Sequence, residues 1–122
     1  MAKSVLIVDD SAVIRNSLSF LLENEGFEVY TAGNGVEGLE KIQTRQFDTI
    51  IADINMPKMH GYDMIREIRK KDNYKDVPII VITTEDEASD KSKGFEAGAN
   101  LFLIKPTDPK KMVKYVKMFL NQ

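Results

Sequence analysis

Two rhythms of apolar and polar positions alternate along this chain. Val5-Leu6-Ile7-Val8 is a continuous apolar run that stops at Asp9-Asp10, the pattern of a strand buried on both faces. Asp10 and Ser11 then offer N-caps for a helix whose Val13, Ile14, Leu18, Leu21 and Leu22 share a face, and Gly26 ends it. Phe27 to Ala32 reads as a weaker strand, with polar Glu28 and Thr31 as an edge strand would have. Val36, Leu39 and Ile42 mark a second helix. Thr49-Ile50-Ile51-Ala52 is another buried strand, ending on Asp53. A loop from Ile54 to Gly61 leads to a helix carrying Met64, Ile65 and Ile68. Pro78 opens the strand Ile79-Ile80-Val81-Ile82, which stops at Thr83-Thr84. A polar helix runs up to Ala97-Gly98, and Leu101 to Ile104 is the fifth strand, ending at Lys105-Pro106. The last helix places Met112, Val113, Val116, Phe119 and Leu120 at helical spacing.

This is a (βα)5 pattern. Right-handed crossovers make such a sheet parallel and put helices on both of its faces. The short crossovers favour an α/β, open, doubly wound five-stranded sheet, because a closed barrel needs about eight units.

The apolar strands end in reactive polar residues: Asp9-Asp10, Asp53, Thr83-Thr84 and Lys105. In open α/β sheets the C-terminal edge of the strands carries the site, so these residues are expected to converge. Carboxylates held close together repel, and protonation or a cation relieves them. A hard divalent ion with oxygen ligands does this, and Mg²⁺ takes carboxylates together with phosphate oxygens. A carboxylate left free can then attack phosphorus and form an aspartyl phosphate. Lys105 would balance charge on the phosphoryl oxygens, and the Thr83 hydroxyl would hydrogen-bond to them. Singly, an Asp pair is most often a helix cap, a Thr a strand residue and a Lys before Pro a solvated turn residue. Only the joint placement argues for chemistry.

Composition narrows the field. The 122 residues make one compact domain, expected over residues 1–122, with 43% apolar and 30% charged positions. A net charge of −2 gives no general attraction to nucleic acid or anionic membrane. No apolar run approaches the roughly 20 residues of a spanning helix. Met1 to Ser4 lead straight into an apolar run that is too short and too weakly flanked for a signal peptide, so none is expected. With no cysteine, disulfides and thiolate chemistry are excluded, and the cytoplasm is the expected location.

The sequence resembles the receiver domain of bacterial two-component response regulators, in particular the free-standing, chemotaxis-type CheY-like proteins. The residues that carry the likeness are Val5 to Ser11, Asp53-Ile54-Asn55-Met56-Pro57 followed by Gly61, Ile82-Thr83-Thr84-Glu85, Ala97-Gly98-Ala99 and Lys105-Pro106. They span the chain, so no effector domain is expected beside the receiver. The resemblance implies a flavodoxin-like strand order 2-1-3-4-5. It implies that Asp53 is the phosphoacceptor, and that Asp10 and Asp53 are direct Mg²⁺ ligands together with the backbone carbonyl of Asn55. Asp9 is then a ligand through water, and Thr83 and Lys105 contact the phosphoryl group. Phe102 matches the aromatic that swings inward when the threonine is drawn toward the phosphoryl group. The Lys105-Pro106 bond is often cis in this family. The implied phosphodonor is a histidine kinase, CheA-like and chemosensory, and the output is binding to a protein target such as a motor switch through an α4-β5-α5 face. A monomer is expected, with no DNA-binding and no membrane role.

Two positions depart from the chemotaxis pattern. Phe102 stands where the archetype has Tyr, and Thr107 where many relatives have Phe. Asn55 and Glu85 occupy positions expected to affect hydrolysis of the phosphorylated form.

Other features carry less. Gly33-Asn34-Gly35-Val36-Glu37-Gly38 matches G-x-G-x-x-G, yet it follows the second strand, whereas the dinucleotide fingerprint belongs to the first βα turn. It reads as a turn in which Gly supplies positive φ. His60 reads as an exposed loop residue. Lys110, Lys111, Lys114 and Lys117 read as a solvated face, with an acidic partner as the functional alternative. The Met residues at 56, 59, 64, 112 and 118 read as core or loop packing.

Two rivals from other classes fit less well. A haloacid-dehalogenase-like phosphatase places its nucleophile after the first strand in a D-x-D-x-T run, where this chain has Asp9-Asp10-Ser11-Ala12. A flavodoxin-like electron carrier needs a hydroxyl- and Gly-rich phosphate loop there, and Asp9-Asp10 would repel a flavin phosphate. The chain is expected to be a signalling switch that assists only its own phosphorylation and dephosphorylation. A stand-alone receiver in a non-chemotaxis phosphorelay is the alternative.

Overall fold

A computed structural model describes residues 2–84, 88–105 and 108–120. Five strands, β1 (Ser4–Val8), β2 (Glu28–Ala32), β3 (Thr49–Asp53), β4 (Ile79–Thr83) and β5 (Leu101–Ile104), alternate with helices. These are α1 (Ala12–Asn24), α2 (Gly35–Thr44), α3 (Gly61–Arg69), α4 (Ala88–Ala97) and α5 (Pro109–Phe119). Every strand pairing is parallel, and the order is β2-β1-β3-β4-β5, as expected. Glu85, Pro106 and Thr107, singled out above, lie outside the described residues, and so does the Lys105-Pro106 bond.

The unbroken apolar runs follow from this topology. Strands β1, β3 and β4 lie inside the sheet with helices over both faces, so every residue along them is buried. Leu6, Val8, Ile50, Ala52 and Val81 face one core layer, which holds Ile42 of α2 and Met64, Ile65 and Ile68 of α3. Val5, Ile7, Ile51, Ile80 and Ile82 face the other, against Leu18 and Leu22 of α1 and Met112, Val113 and Val116 of α5. Strand β2 pairs with β1 alone and exposes Glu28, as its polar residues implied.

Helix starts are fixed by side chains. The Ser11 hydroxyl accepts from the Ile14 N–H at 3.3 Å, so Ser11 is the N-cap of α1 in preference to Asp10. Asn34 caps α2, accepting from the Glu37 N–H at 3.0 Å, and Asp108 caps α5.

Four expectations need correction. Val13 is 75% exposed, because it lies about 140° around α1 from Leu18 at 3.6 residues per turn. Val36 is exposed as well, since the buried stripe of α2 is Gly35, Gly38 and Ile42. Those glycines do not supply positive φ; among glycines only Gly26 and Gly98 have it. They are there for close approach: a Cβ at Gly35 would stand 2.9 Å from Cβ of Met59, and one at Gly38 3.1 Å from Cγ2 of Val8. Met118 is exposed, outside the core packing expected of it.

A 3-10 turn, Asp72–Tyr74, was not legible in the pattern. It delivers Tyr74, fully buried, to the edge of the sheet opposite the polar strand ends. The Tyr74 hydroxyl donates to the Arg45 carbonyl at 2.7 Å and accepts from the Phe47 N–H at 3.1 Å. Arg69 donates to the carbonyls of Tyr74, Val77 and Gly98, joining α3 to the entries of β4 and β5. Tyr74→Phe strands a buried N–H and a carbonyl, and is expected to cost about 1–3 kcal/mol in urea unfolding. A loss under about 0.5 kcal/mol would contradict this role for the hydroxyl.

Candidate functional site

Strand order puts the acidic residues together. The chain runs from β1 outward to β2, then returns to lay β3 on the other side of β1, so the connections diverge between β1 and β3. Crevices at such divergence points, at the C-terminal ends of strands, bind ligands in open α/β sheets. Val8 is in register with Ala52, so Asp9 and Asp53 leave the sheet side by side. Asp9 is fully buried and Asp53 is 4% exposed, while Asp10 is exposed. Carboxylate oxygens of Asp9, Asp10 and Asp53 all lie within 4.8 Å of one another.

Local hydrogen bonds aim these groups. Asp9 Oδ1 accepts from the Ser11 N–H at 2.9 Å, and Arg15 donates to the Asp9 carbonyl at 2.6 Å. Asp53 Oδ1 accepts from the Ile54 N–H at 2.8 Å. Lys105 stands just past β5, where its N–H donates to the Thr83 carbonyl and extends the ladder. Its Nζ is 3.4 Å from Asp9 Oδ2 and 3.4 Å from Asp53 Oδ2, bridging both.

One ammonium does not balance this site. Asp9 Oδ2 is buried and accepts no hydrogen bond from the described residues; its contact with Lys105 is an ion pair without hydrogen-bond alignment. Burial first, and the neighbouring charge of Asp9 second, push the Asp53 carboxyl up to about 6; Lys105 and the Ile54 N–H pull the other way. A buried acceptor without a donor, beside other carboxylate oxygens, is what a hard dication would satisfy. The donor set therefore fits Mg²⁺, with Asp9, Asp10 and Asp53 as the residues able to hold it.

The remaining expected residues are placed as follows. Asn55 is exposed in the loop directly after Asp53. Thr83 is fully buried at the end of β4, next to the Ile82 that registers with Asp53. Phe102 registers with Val81 and Ile104 with Thr83, so Thr83 and Phe102 share a sheet face as diagonal neighbours. Phe102 is part-buried.

Other residues matter here in ways the pattern did not disclose. Arg15 holds the turn after β1, and its spacing from Asp9 carries no signal of that. A Cβ at Gly61 would stand 2.5 Å from the Asp53 carbonyl oxygen, so only glycine lets α3 start this close to the site. His60 is exposed, as expected, but it also caps α3: its Nδ1 accepts from the Tyr62 N–H at 3.2 Å. In the G-x-G-x-x-G run, the Gly33 N–H and the Asn34 side-chain amide donate to Glu37, an internal carboxylate. Lys110, Lys111 and Lys114 are solvated, and Lys117 pairs with Glu25 at 3.0 Å.

Residues 5–117 match the model of the response regulator receiver domain. The chain belongs to that family. Receiver domains are signalling switches of two-component systems, phosphorylated on an aspartate, and they bind Mg²⁺ at an acidic pocket. Histidine kinases donate the phosphoryl group. The receiver is 39% identical to the chemotaxis protein CheY4 of Vibrio cholerae, with a TM-score of 0.92 over 98% of this chain and 99% of that one. It is 25% identical to the receiver domain of the sensor histidine kinase PA1611 of Pseudomonas aeruginosa, with a TM-score of 0.90 over both whole chains. The transcriptional regulatory protein SrrA of Staphylococcus aureus is 35% identical over all 122 residues, which cover 49% of SrrA. The receiver thus spans about half the length of the curated relatives it matches. Among the described residues, no helix is long and apolar enough to cross a membrane.

The raised Asp53 pKa has a stability consequence. The native state prefers the protonated carboxyl, so ionisation costs stability as pH rises from the ordinary 3.8 through about 6, and the cost is relieved on acidification. With metal chelated at pH 7, Asp53→Asn is expected to stabilise the receiver by about 1–3 kcal/mol, a gain that vanishes toward pH 4. Urea unfolding of both proteins from pH 4 to pH 8 measures it; an Asn variant no more stable than wild type at pH 7 would contradict the assignment.

Proposed function

We propose that residues 1–122 act as one receiver domain in which Asp53 accepts a phosphoryl group from a histidine kinase and thereby changes what the protein binds. The observation that carries this is the pairing of two buried carboxylates, Asp9 and Asp53, across one bridging ammonium, with Asp9 Oδ2 held only by that ion pair and given no hydrogen bond by the described residues.

Each side chain has a task in this reading. An Asp53 carboxylate oxygen forms the new bond to phosphorus as the bond from phosphorus to the donor nitrogen breaks, and the imidazole takes that electron pair. Asp10, Asp53 and the Asn55 backbone carbonyl would hold Mg²⁺ directly and Asp9 through water, and the ion when bound would supply positive charge against the phosphoryl oxygens. Support for the metal comes from the donor set and from the PA1611 receiver, solved with magnesium coordinated in its active site cleft. Lys105 loses one carboxylate partner when Asp53 becomes an acyl phosphate, and its ammonium then pairs with the phosphoryl oxygens. The Thr83 hydroxyl hydrogen-bonds to the same group, and Phe102, on the same sheet face, moves in response.

The output is altered affinity for a protein partner at the face made by α4, β5 and α5. The likeness to CheY4 along nearly the whole of both chains favours a chemosensory setting, with a CheA-like kinase upstream and a motor switch or similar target downstream. The match to half of SrrA favours a second reading, a receiver in a non-chemotaxis phosphorelay. In both, the domain works as a cytoplasmic monomer, makes no contact with DNA or membrane, and turns over no outside substrate.

Incubation with Mg²⁺ and a small acyl phosphate, followed by intact mass measurement, tests the central step. A labile adduct of one phosphoryl group is expected on the wild type, lost with chelator and absent from Asp53→Asn. An undiminished adduct on Asp53→Asn would overturn it.

A further inference from the structure

The aromatic assigned to report phosphorylation rests against a gap in α4. Gly94 is buried, and a Cβ there would stand 3.0 Å from Cε1 of Tyr62 and 3.1 Å from Cε2 of Phe102. Both rings therefore close on the bare Cα of Gly94, so that a methyl group there would fit only if the rings gave way by a few tenths of an ångström. Phe95, which is 51% exposed, flanks the same ring, its centroid 6.3 Å from that of Phe102. Phe102 packs against the core layer that includes Tyr62. Without a phenolic hydroxyl at position 102, packing rather than a hydrogen bond from the ring sets where that ring rests.

Tyr62 belongs to α3, and α3 begins hard against the site. A Cβ at Gly61 would stand 2.5 Å from the Asp53 carbonyl oxygen and 2.7 Å from Cα of Ile54. The Gly61 N–H donates to the Ile54 carbonyl at 2.9 Å. A shift of the backbone at Asp53 thus reaches the first turn of α3 with almost no slack, and close-packed interiors transmit such strain.

We infer that Tyr62 and Gly94 form the seat of Phe102, and that they couple Asp53 to β5 along α3, by a path that does not pass through Thr83. The inference rests on Asp53 as phosphoacceptor and Phe102 as reporter. It makes Tyr62 a positioning residue for the switch, although it touches no phosphoryl group. The two substitutions act differently. Gly94→Ala places a methyl in the gap and pushes both rings back by a few tenths of an ångström, while helix propensity favours the alanine. Tyr62→Leu removes the ring edge that holds Phe102 to α3.

Ring-labelled phenylalanine in the full chain provides the readout, with Phe102 assigned by comparison with Phe102→Leu. Spectra are taken with Mg²⁺ alone and with Mg²⁺ plus a small acyl phosphate, and intact mass on the same samples counts the adduct. Gly94→Ala is expected to move the Phe102 signals already before phosphorylation. Tyr62→Leu is expected to cut the phosphorylation-induced shift of Phe102 at least twofold at wild-type adduct yield; Tyr62→Met takes its place if the leucine variant does not fold. Phe102 signals matching wild type in both states, in the Gly94 and Tyr62 variants alike, would overturn the inference. If the wild type forms no adduct, the proposed function falls and the second path with it. The Gly94→Ala spectra before phosphorylation still decide the seat.

Discussion

Two carboxylates that would each prefer water are held side by side at the ends of adjacent central strands, and much of the architecture exists to keep them there. Asp9 and Asp53 leave β1 and β3 in register, and the Lys105 ammonium reaches both from beyond β5. Strands β1 and β3 can be neighbours only because the chain first steps outward to β2 and then returns. The topology is thus the device that brings residues 44 positions apart into one charge cluster.

Such a cluster costs stability, and the cost is located. Burial and the charge of Asp9 raise the Asp53 pKa to about 6, so near neutral pH the site is held against its own electrostatics. The opposing stabilisation lies away from the site, in the two apolar layers and in the carbonyl clamp of Arg69 and the hydroxyl of Tyr74 at the far edge of the sheet. Separating rigid support from strained chemistry leaves the polar edge free to respond when its charge changes. The neighbouring loop is held by contacts that tolerate no extra atom, at Gly61 and Gly35, so a change at Asp53 has a stiff path outward.

The strands were legible in the sequence because burial on both faces removes the polar half of the usual alternation, leaving runs such as Val5 to Val8 that end on a polar residue of the candidate site. Asp9, Asp53, Thr83 and Lys105 were legible for the same reason: each marks the point where an apolar run meets the site. Helix faces were less legible. Val13 and Val36 are apolar yet turned outward, while the inward stripe of α2 is largely glycine, a residue whose lack of a side chain hides its packing role. Tyr74 and Arg69 were invisible, since their partners are mostly backbone groups brought close only by the fold. Gly94 gave no signal either, because what it contributes is space.

Charge relief at Asp9 and Asp53 is the central claim, and its most direct test is thermal unfolding at pH 7 during a Mg²⁺ titration. A ligand that binds only the native state stabilises by RT ln(1 + [L]/Kd), so a saturating rise in Tm is expected for the wild type. The rise should be largely lost in Asp9→Asn and in Asp53→Asn, whose metal-free Tm should each start above wild type. A wild-type Tm that does not respond to millimolar Mg²⁺, or an equal response in both variants, would contradict the account.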